Sequence, residues 1–246
     1  IELIQKDDMP KYLLFLENAF PYMDNYNYHK GMKGIIQELK VLLKTKSIGT
    51  NSDRALLLDF QATLETKPEK AIKLEKDALA QIENITADNA RLVSNLHANL
   101  GGLYRINGHP DLAREHMEKS ISLLDQFNLL HINDSIPQIA NYAMFLTEQQ
   151  EPERGISELQ KLSGIIKEYH SDECLDYAKV QETLATIYLM TANLSHAKTH
   201  FKKAFKIYEK IWADEPEMIE AKYQEIQELY PQIGFFIGKN LSGLLT

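Results

Sequence analysis

The stretch HANLGGLY, residues 97–104, decides the fold of this chain, because its pattern of small and large residues returns along the sequence at a fixed interval. Steps of 42 residues lead from Gly101 to Ala143 and then to Ala185. A second small position keeps the same interval at Ala71, Ala113, Gly155 and Ala197. Such an interval indicates a repeat protein, in which each repeat is one supersecondary unit.

Large apolar residues keep the same interval. One series is Leu100, Tyr142 and Leu184, and another is Met117, Leu159 and Phe201. Between Ala197 and Tyr208 the apolar residues fall three or four positions apart, which is the spacing of one face of an amphipathic helix. The repeated segments are therefore predicted to be helices.

Prolines mark the predicted helix starts. Pro68, Pro110 and Pro152 lie 42 residues apart, and an acidic residue follows each of them. Proline is favoured in the first helical turn, where its missing N–H costs nothing, and an acid there complements the helix dipole. At the fourth start, Asn193 replaces the proline as a capping residue.

Each repeat is predicted to be a pair of helices. The two central pairs span about residues 89–107 with 110–127, and about residues 135–149 with 152–169. No alternation typical of strands separates them. The sequence therefore predicts an all-α, superhelical solenoid of helix-turn-helix repeats.

The positions of the small residues resemble those of the tetratricopeptide repeat. The motif Asn99-Leu100-Gly101-x-x-Tyr104 matches that pattern, and Thr183-Leu184-Ala185-x-x-Tyr188 matches it again. The interval of 42 and the Asn-Leu before the small residue are similar to the kinesin light-chain type. This resemblance implies a protein-interaction fold.

The strength of the repeat pattern predicts three regions. Residues 1–50 form a degenerate N-terminal helical repeat, residues 51–212 form four repeats of 42 residues, and residues 213–246 form a C-terminal capping helix and tail. Glu17, Asp59 and Gln227 stand where the pattern expects a small residue. Degenerate outer repeats are common in solenoids, because one of their faces meets solvent.

The resemblance implies that the first helices of the pairs line a concave, peptide-binding groove. The positions that would face it are Asn95, Asn99, Arg105, Asn141, Met144, Lys179, Glu182, Thr183 and Thr186. Asn99 and Asn141 occupy the same position in consecutive repeats, and an amide can both donate to and accept from a peptide backbone. The alternative is that these side chains bond to neighbouring helices or to water.

Composition excludes several classes of function. The 35 acidic and 27 basic residues give a net charge of −8, which disfavours a nucleic-acid partner. No apolar run approaches the roughly 18 residues of a membrane span. The single cysteine, Cys174, cannot form a disulfide framework, so we expect a reducing, cytoplasmic location.

No catalytic, metal or cofactor site is predicted. His196 and His200 lie four residues apart on one helical face, but the sequence places no third ligand beside them. Cys174 lies next to Asp172 and Glu173, which disfavour a reactive thiolate. We therefore expect a chain without enzymatic activity.

The leading functional prediction is a non-catalytic scaffold that binds a protein or peptide. Because the chain does not begin with methionine, we expect it to be the sensor or partner-recognition part of a larger regulatory or signalling protein. The alternative is a homo-oligomerisation module that acts through the solenoid ends or through the apolar tail at residues 233–237.

Overall fold

The structure is a computed structural model that describes residues 12–13, 15–16, 19–20, 23, 28–45, 50–132 and 134–229. All regular secondary structure within these ranges is helical. The helices are α1 (His29–Thr45), α2 (Asn51–Thr63), α3 (Pro68–Leu79), α4 (Ala90–Ile106), α5 (Pro110–Gln126), α6 (Ser135–Glu148), α7 (Pro152–Tyr169), α8 (Leu175–Met190), α9 (Leu194–Ile211) and α10 (Pro216–Leu229). The predicted all-α class is confirmed.

The chain divides into two compact units, Ile1–Leu129 and Leu130–Thr246. In the first unit, α2 pairs with α3 and α4 pairs with α5, while α3 also packs against α4 and α1 packs against α2. Its apolar core includes Tyr12, Leu16 and Phe20. The ring of Phe20 stacks on that of Phe60, with 3.9 Å between the ring centroids.

The second unit repeats this arrangement of helix pairs. Helix α6 pairs with α7, α8 pairs with α9, and α8 also packs against both α6 and α7. Its core holds Phe201, Phe205 and Tyr208, and α10 adds the buried Ile226 to it. Both units therefore consist of stacked helix pairs, as expected of a helical repeat solenoid.

Burial follows the interval of 42 residues. The small series of Ala71, Ala113, Gly155 and Ala197 is buried throughout. The two large apolar series are buried as well, at Leu100, Tyr142, Leu184, Met117, Leu159 and Phe201. The predicted register of the repeats is confirmed.

The predicted helix starts are also confirmed. Helices α3, α5 and α7 begin at Pro68, Pro110 and Pro152, each in the first helical turn. At the fourth start, the side chain of Asn193 accepts a hydrogen bond from the backbone N–H of His196. The first turn of a helix has backbone N–H groups without partners inside the helix. Proline has no such N–H group, and the side chain of Asn193 accepts a hydrogen bond from one of them.

The turn between the paired helices repeats in its geometry. Gly108, Gln150 and Ala192 lie 42 residues apart and have φ angles of 77°, 65° and 58°. The residue after each donates its backbone N–H to the carbonyl five positions before it, namely His109 to Tyr104, Glu151 to Leu146 and Asn193 to Tyr188. This is the Schellman arrangement, in which a left-handed residue ends a helix.

The paired helices approach most closely at the small positions. A Cβ atom added to Gly155 of α7 would lie 2.6 Å from the backbone oxygen of Ala143 in α6. In α4, a Cβ atom on Gly101 would lie 2.5 Å from Cγ of Met117 in α5. Glycine is thus required by the closeness of the neighbouring helix at Gly155, where the opposing atom is backbone and cannot rotate away.

Some predictions fall outside the described residues. The apolar tail at residues 233–237 lies there, so the oligomerisation alternative remains a prediction. The division into residues 1–50, 51–212 and 213–246 likewise remains a prediction. Within the described ranges, no helix is long and apolar enough to cross a membrane.

The closeness of α6 and α7 predicts opposite effects of two Gly-to-Ala substitutions on the same helix. Gly155→Ala should lower the free energy of unfolding by about 1–3 kcal/mol, because the new methyl group overlaps backbone. Gly164→Ala should raise it by about 0.5–1 kcal/mol, because Gly164 is exposed with no atom within 4 Å of the new methyl. Urea unfolding of both variants measures the difference, and equal effects would contradict the packing.

Candidate functional site

In the first unit, the predicted groove residues lie on α4, the first helix of its pair. Asn99 is exposed, and Asn95 and Arg105 are half-buried. The buried positions of the same helix, such as Leu96 and Leu100, point into the core. The three predicted residues therefore lie on the part of α4 that the core does not cover.

Asn99 takes part in a polar cluster that joins three helices. Its amide Nδ2 donates to Oδ1 of Asp59 on α2 at 2.8 Å and to Oε1 of Glu75 on α3 at 3.2 Å. Of the two alternatives for this residue, the structure thus shows bonds to neighbouring helices. These bonds bring two carboxyl groups together beneath an exposed amide.

Glu75 is the most unusual member of this cluster. It is 1% exposed, and its carboxyl group forms a side-chain hydrogen bond with that of Asp59 in addition to the one that Oε1 accepts from Asn99. Burial raises the pKa of Glu75 well above its ordinary value, and the neighbouring charge of Asp59 raises it further. Glu75 is therefore neutral at pH 7, with its proton available to Asp59.

The sequence did not predict a role for Glu75, although it contains a signal for one. Glu75 lies between Ala71 and Ala78 at helical spacing, and both alanines are buried. A glutamate at such a position interrupts an otherwise apolar face. Asp59 was noted only as a departure from the repeat pattern, and the fold brings it to Glu75.

In the second unit, the predicted residues lie on the first helices α6 and α8. Asn141 and Lys179 are exposed, and Met144 and Thr186 are half-buried. Nζ of Lys179 lies 3.6 Å from Oδ1 of Asp176, one turn earlier on the same helix. Because α6 and α8 pack against each other, these residues belong to neighbouring first helices of one unit.

Two of the predicted residues on α8 already bond within the protein. The hydroxyl of Thr183 donates to the backbone oxygen of Lys179. The carboxylate of Glu182 accepts from the hydroxyl of Tyr208 at 2.6 Å and lies 2.8 Å from Nζ of Lys222 on α10. Burial and the charge of Glu182 raise the pKa of Tyr208, which keeps the phenol protonated as a donor.

Two histidines at equivalent positions, His116 and His200, repeat one arrangement 84 residues apart. The ring of His116 lies against Tyr104, and its Nδ1 is 2.9 Å from Nδ1 of His97. The ring of His200 stacks on Tyr188, and its Nδ1 is 2.9 Å from Oε1 of Gln181. Residues 97 and 181 are also 84 apart.

His97 and His200 are held in the neutral form. Burial, with the nearby His116 and Lys119, lowers the pKa of His97 to about 4. Burial, with Lys203 and His196, lowers the pKa of His200 to about 4. Neutral imidazoles suit a structural role, because one ring nitrogen can donate while the other accepts.

The remaining candidate for a metal site has other partners. Nδ1 of His196 lies 2.9 Å from Oδ1 of Asn193, and the imidazole ring of His196 stacks on Tyr188. In the part of the chain that the structure describes, no group of three His, Cys, Asp or Glu residues could hold a metal ion. Cys174 caps α8, where its sulfur accepts from the N–H of Tyr177.

Comparison with known proteins identifies the repeat. Residues 135–210 match the family model of the tetratricopeptide repeat. The comparison with curated protein sequences gave no match.

Solved structures are similar to the chain in fold. BtubC (BKLC) from P. vanneervenii is 18% identical, with a TM-score of 0.59 over 74% of this chain and 72% of that one. A second similar structure is that of the nearly identical TPR-like repeats of a putative kinesin light chain from Podosopora anserina. Its sequence identity to this chain is 13%, and its TM-score is 0.58 over 80% of this chain and 96% of that one. At these identities, the likeness shows the fold alone.

The buried carboxyl group predicts a stability that falls as pH rises. The unfolded chain loses the Glu75 proton near the ordinary pKa of 4.5, whereas the folded chain retains it, so stability is lost as pH rises above 4.5. Glu75→Gln imitates the neutral acid. We expect it to raise the free energy of unfolding by about 1–3 kcal/mol at pH 8.

Urea unfolding at pH 5 and pH 8 measures this effect. Glu69→Gln is the matched control, because Glu69 is exposed on the same helix. A Glu75→Gln variant whose loss of stability between pH 5 and pH 8 equals that of the unchanged chain would contradict the protonated state.

The neutral histidines predict a loss of stability in acid. Below pH 6.5 the unfolded chain gains a proton at His97, whereas the folded chain resists it until about pH 4, so stability is lost as pH falls through this range. His97→Gln reproduces the pairing of Gln181 with His200. The variant should therefore lose less stability than the unchanged chain between pH 7 and pH 5.

Chemical unfolding at the two pH values tests this expectation, with His29→Gln as the exposed control. An identical acid-induced loss in the His97→Gln variant and the unchanged chain would refute it.

Proposed function

From the premise that this chain carries tetratricopeptide repeats of the kinesin light-chain-like type, we propose that it is a non-catalytic scaffold that binds an extended peptide along the first helices of its pairs. Such repeats commonly form protein-interaction scaffolds. The finer assignment is that the chain is the partner-recognition or sensor part of a larger regulatory protein of the cytoplasm.

One observation carries the proposal. In the second unit, the neighbouring first helices α6 and α8 keep polar side chains outside the core, with Asn141 and Lys179 exposed. Asn141 offers both a donor and an acceptor to a peptide backbone, and Lys179 offers a donor with a flexible stem. This chemistry suits main-chain recognition better than catalysis.

The remaining predicted residues give the face a mixed character. Met144 supplies a flexible apolar surface, and Thr186 supplies a hydroxyl, both of them half-buried. Glu182 is engaged by Lys222 and Tyr208, so we assign it to holding α10 in place. The peptide-binding face that we propose for this unit therefore consists of Asn141, Met144, Lys179, Thr183 and Thr186.

The test begins with selection of peptides from a random display library against the full chain. Binding of the selected peptides is then measured by calorimetry with Asn141→Ala and with Gln160→Ala. Gln160 is an exposed amide on α7, the second helix of its pair, and serves as the matched control. We expect Asn141→Ala to weaken binding by about tenfold and Gln160→Ala to leave it unchanged.

Circular dichroism should show that both variants keep their helical content, which is the control for folding. Selected peptides that bind Asn141→Ala as well as the unchanged chain, but lose affinity for Gln160→Ala, would place recognition on the second helices and overturn the proposal. Failure to select any peptide would count against peptide binding as well.

A further inference from the structure

Helix α9 is positively charged along its exposed side. It contains five lysines and one glutamate, although the whole chain has a net charge of −8. Buried residues such as Phe201 and Phe205 form one face of the helix. Lys202, Lys203 and Lys206 lie on the opposite face and are exposed. These three residues are called the lysine face below.

The other second helices do not carry such a face. Because the repeat interval is 42 residues, each position of the lysine face has an equivalent in α7, α5 and α3. The equivalents are Gln160, Lys161 and Gly164 in α7, Glu118, Lys119 and Ser122 in α5, and Lys76, Asp77 and Ala80 at the end of α3. Each set has one lysine, and in α5 and α3 an acidic residue balances it. The packing of the repeats therefore does not require lysines at these positions.

The charge of the lysine face is not neutralised within the part of the chain that the structure describes. There, Lys202, Lys203 and Lys206 form no ion pair. The one glutamate of α9, Glu209, accepts a hydrogen bond from the hydroxyl of Tyr223 at 3.0 Å. Ammonium groups three and four residues apart on a helix repel each other. An anionic partner would remove this repulsion.

We propose that the lysine face docks an acidic helix of a partner protein. One turn of α9 places Lys202 and Lys206 about 6 Å apart along the helix axis. Carboxylates four residues apart on a second helix have the same spacing, so each could lie opposite one ammonium group. Lys210, one turn further on, pairs with Glu173 and ends the unpaired surface. The proposal goes beyond the proposed function, because the peptide-binding face lies on the first helices.

The chemistry of the lysine face favours carboxylates over other anions. Phosphate is typically bound by the two-pronged guanidinium group of arginine, and α9 contains no arginine. Binding to an anionic membrane needs apolar side chains that enter the lipid, besides basic ones. On this side of α9, the exposed residues nearer its start are Ser195 and Thr199, which are polar. A row of carboxylates needs only point charges on flexible stems, which lysines supply.

Fluorescence anisotropy with the full chain tests the proposal. The probe is an alanine-rich helical peptide with glutamate at every fourth position, labelled with a neutral dye. The first control peptide has glutamine in place of each glutamate. The second has the same length and number of glutamates, placed at every fifth position so that they spread around the helix. Binding of the chain to vesicles of phosphatidylserine and phosphatidylcholine is measured in parallel.

Two triple variants separate the lysine face from net charge. The first removes the face by Lys202→Gln, Lys203→Gln and Lys206→Gln. The matched control removes the same charge from equivalent exposed positions of the other second helices, by Lys76→Gln, Lys119→Gln and Lys161→Gln. Because glutamine is tolerated at exposed helix positions, circular dichroism should show unchanged helical content in both.

The peptide with glutamate at every fourth position should bind, and its affinity should fall several-fold when NaCl is raised from about 50 mM to about 300 mM. Loss of the lysine face should weaken binding by at least about tenfold, whereas the matched control and Asn141→Ala should change it by less than about twofold. The glutamine peptide should not bind. The peptide with glutamate at every fifth position should bind several-fold more weakly.

Equal losses in the two triple variants would show that binding follows net charge, and would overturn the lysine face. The same conclusion would follow if the glutamate and glutamine peptides bound equally, or if neither bound at about 1 mM. Equal binding of the two glutamate peptides would overturn the helical partner. Vesicle binding that depends on the lysine face, without peptide binding, would assign the face to a membrane instead. Weaker binding in Asn141→Ala would place the acidic helix on the peptide-binding face.

Discussion

The close contact between paired helices is the constraint on which the rest of the structure depends. At Gly155 the backbone of α7 lies so near the carbonyl of Ala143 that even a methyl group would overlap it. Ala71, Ala113 and Ala197 occupy the equivalent position and are buried. Because side chains at this point must be small, the large residues of each pair must pack on either side of it, which fixes the register of each helix against its partner.

The turn after the first helix of a pair keeps the same left-handed backbone conformation in three repeats, although the residue at that position differs. Gly108 suits a positive φ, whereas Gln150 and Ala192 adopt it at a steric cost. The same backbone hydrogen bond closes all three turns, so the packing of the paired helices imposes the left-handed residue. From the sequence, only Gly108 could be recognised as a helix stop.

The exposure of the predicted groove residues Asn99 and Asn141 could be predicted from the sequence, whereas the hydrogen bonds of Asn99 could not. Helical spacing and the resemblance placed Asn99 and Asn141 outside the core, and both are exposed. The partners of Asn99 could not be predicted, because Asp59 and Glu75 lie 40 and 24 residues away and meet it only when α2, α3 and α4 pack. Likewise, His97 and His116 gave no local pattern that foretold their ring contact.

The sequence by itself determined the interval of 42, the helix starts at Pro68, Pro110 and Pro152, and the buried faces, because these depend on local backbone chemistry and on apolar spacing. Only the tertiary structure decided which polar groups meet. It buried the carboxyl group of Glu75 beside that of Asp59 and held His97 and His200 neutral. The physical reason is that desolvation and charge pairing act through space, between residues that the helix stack brings together.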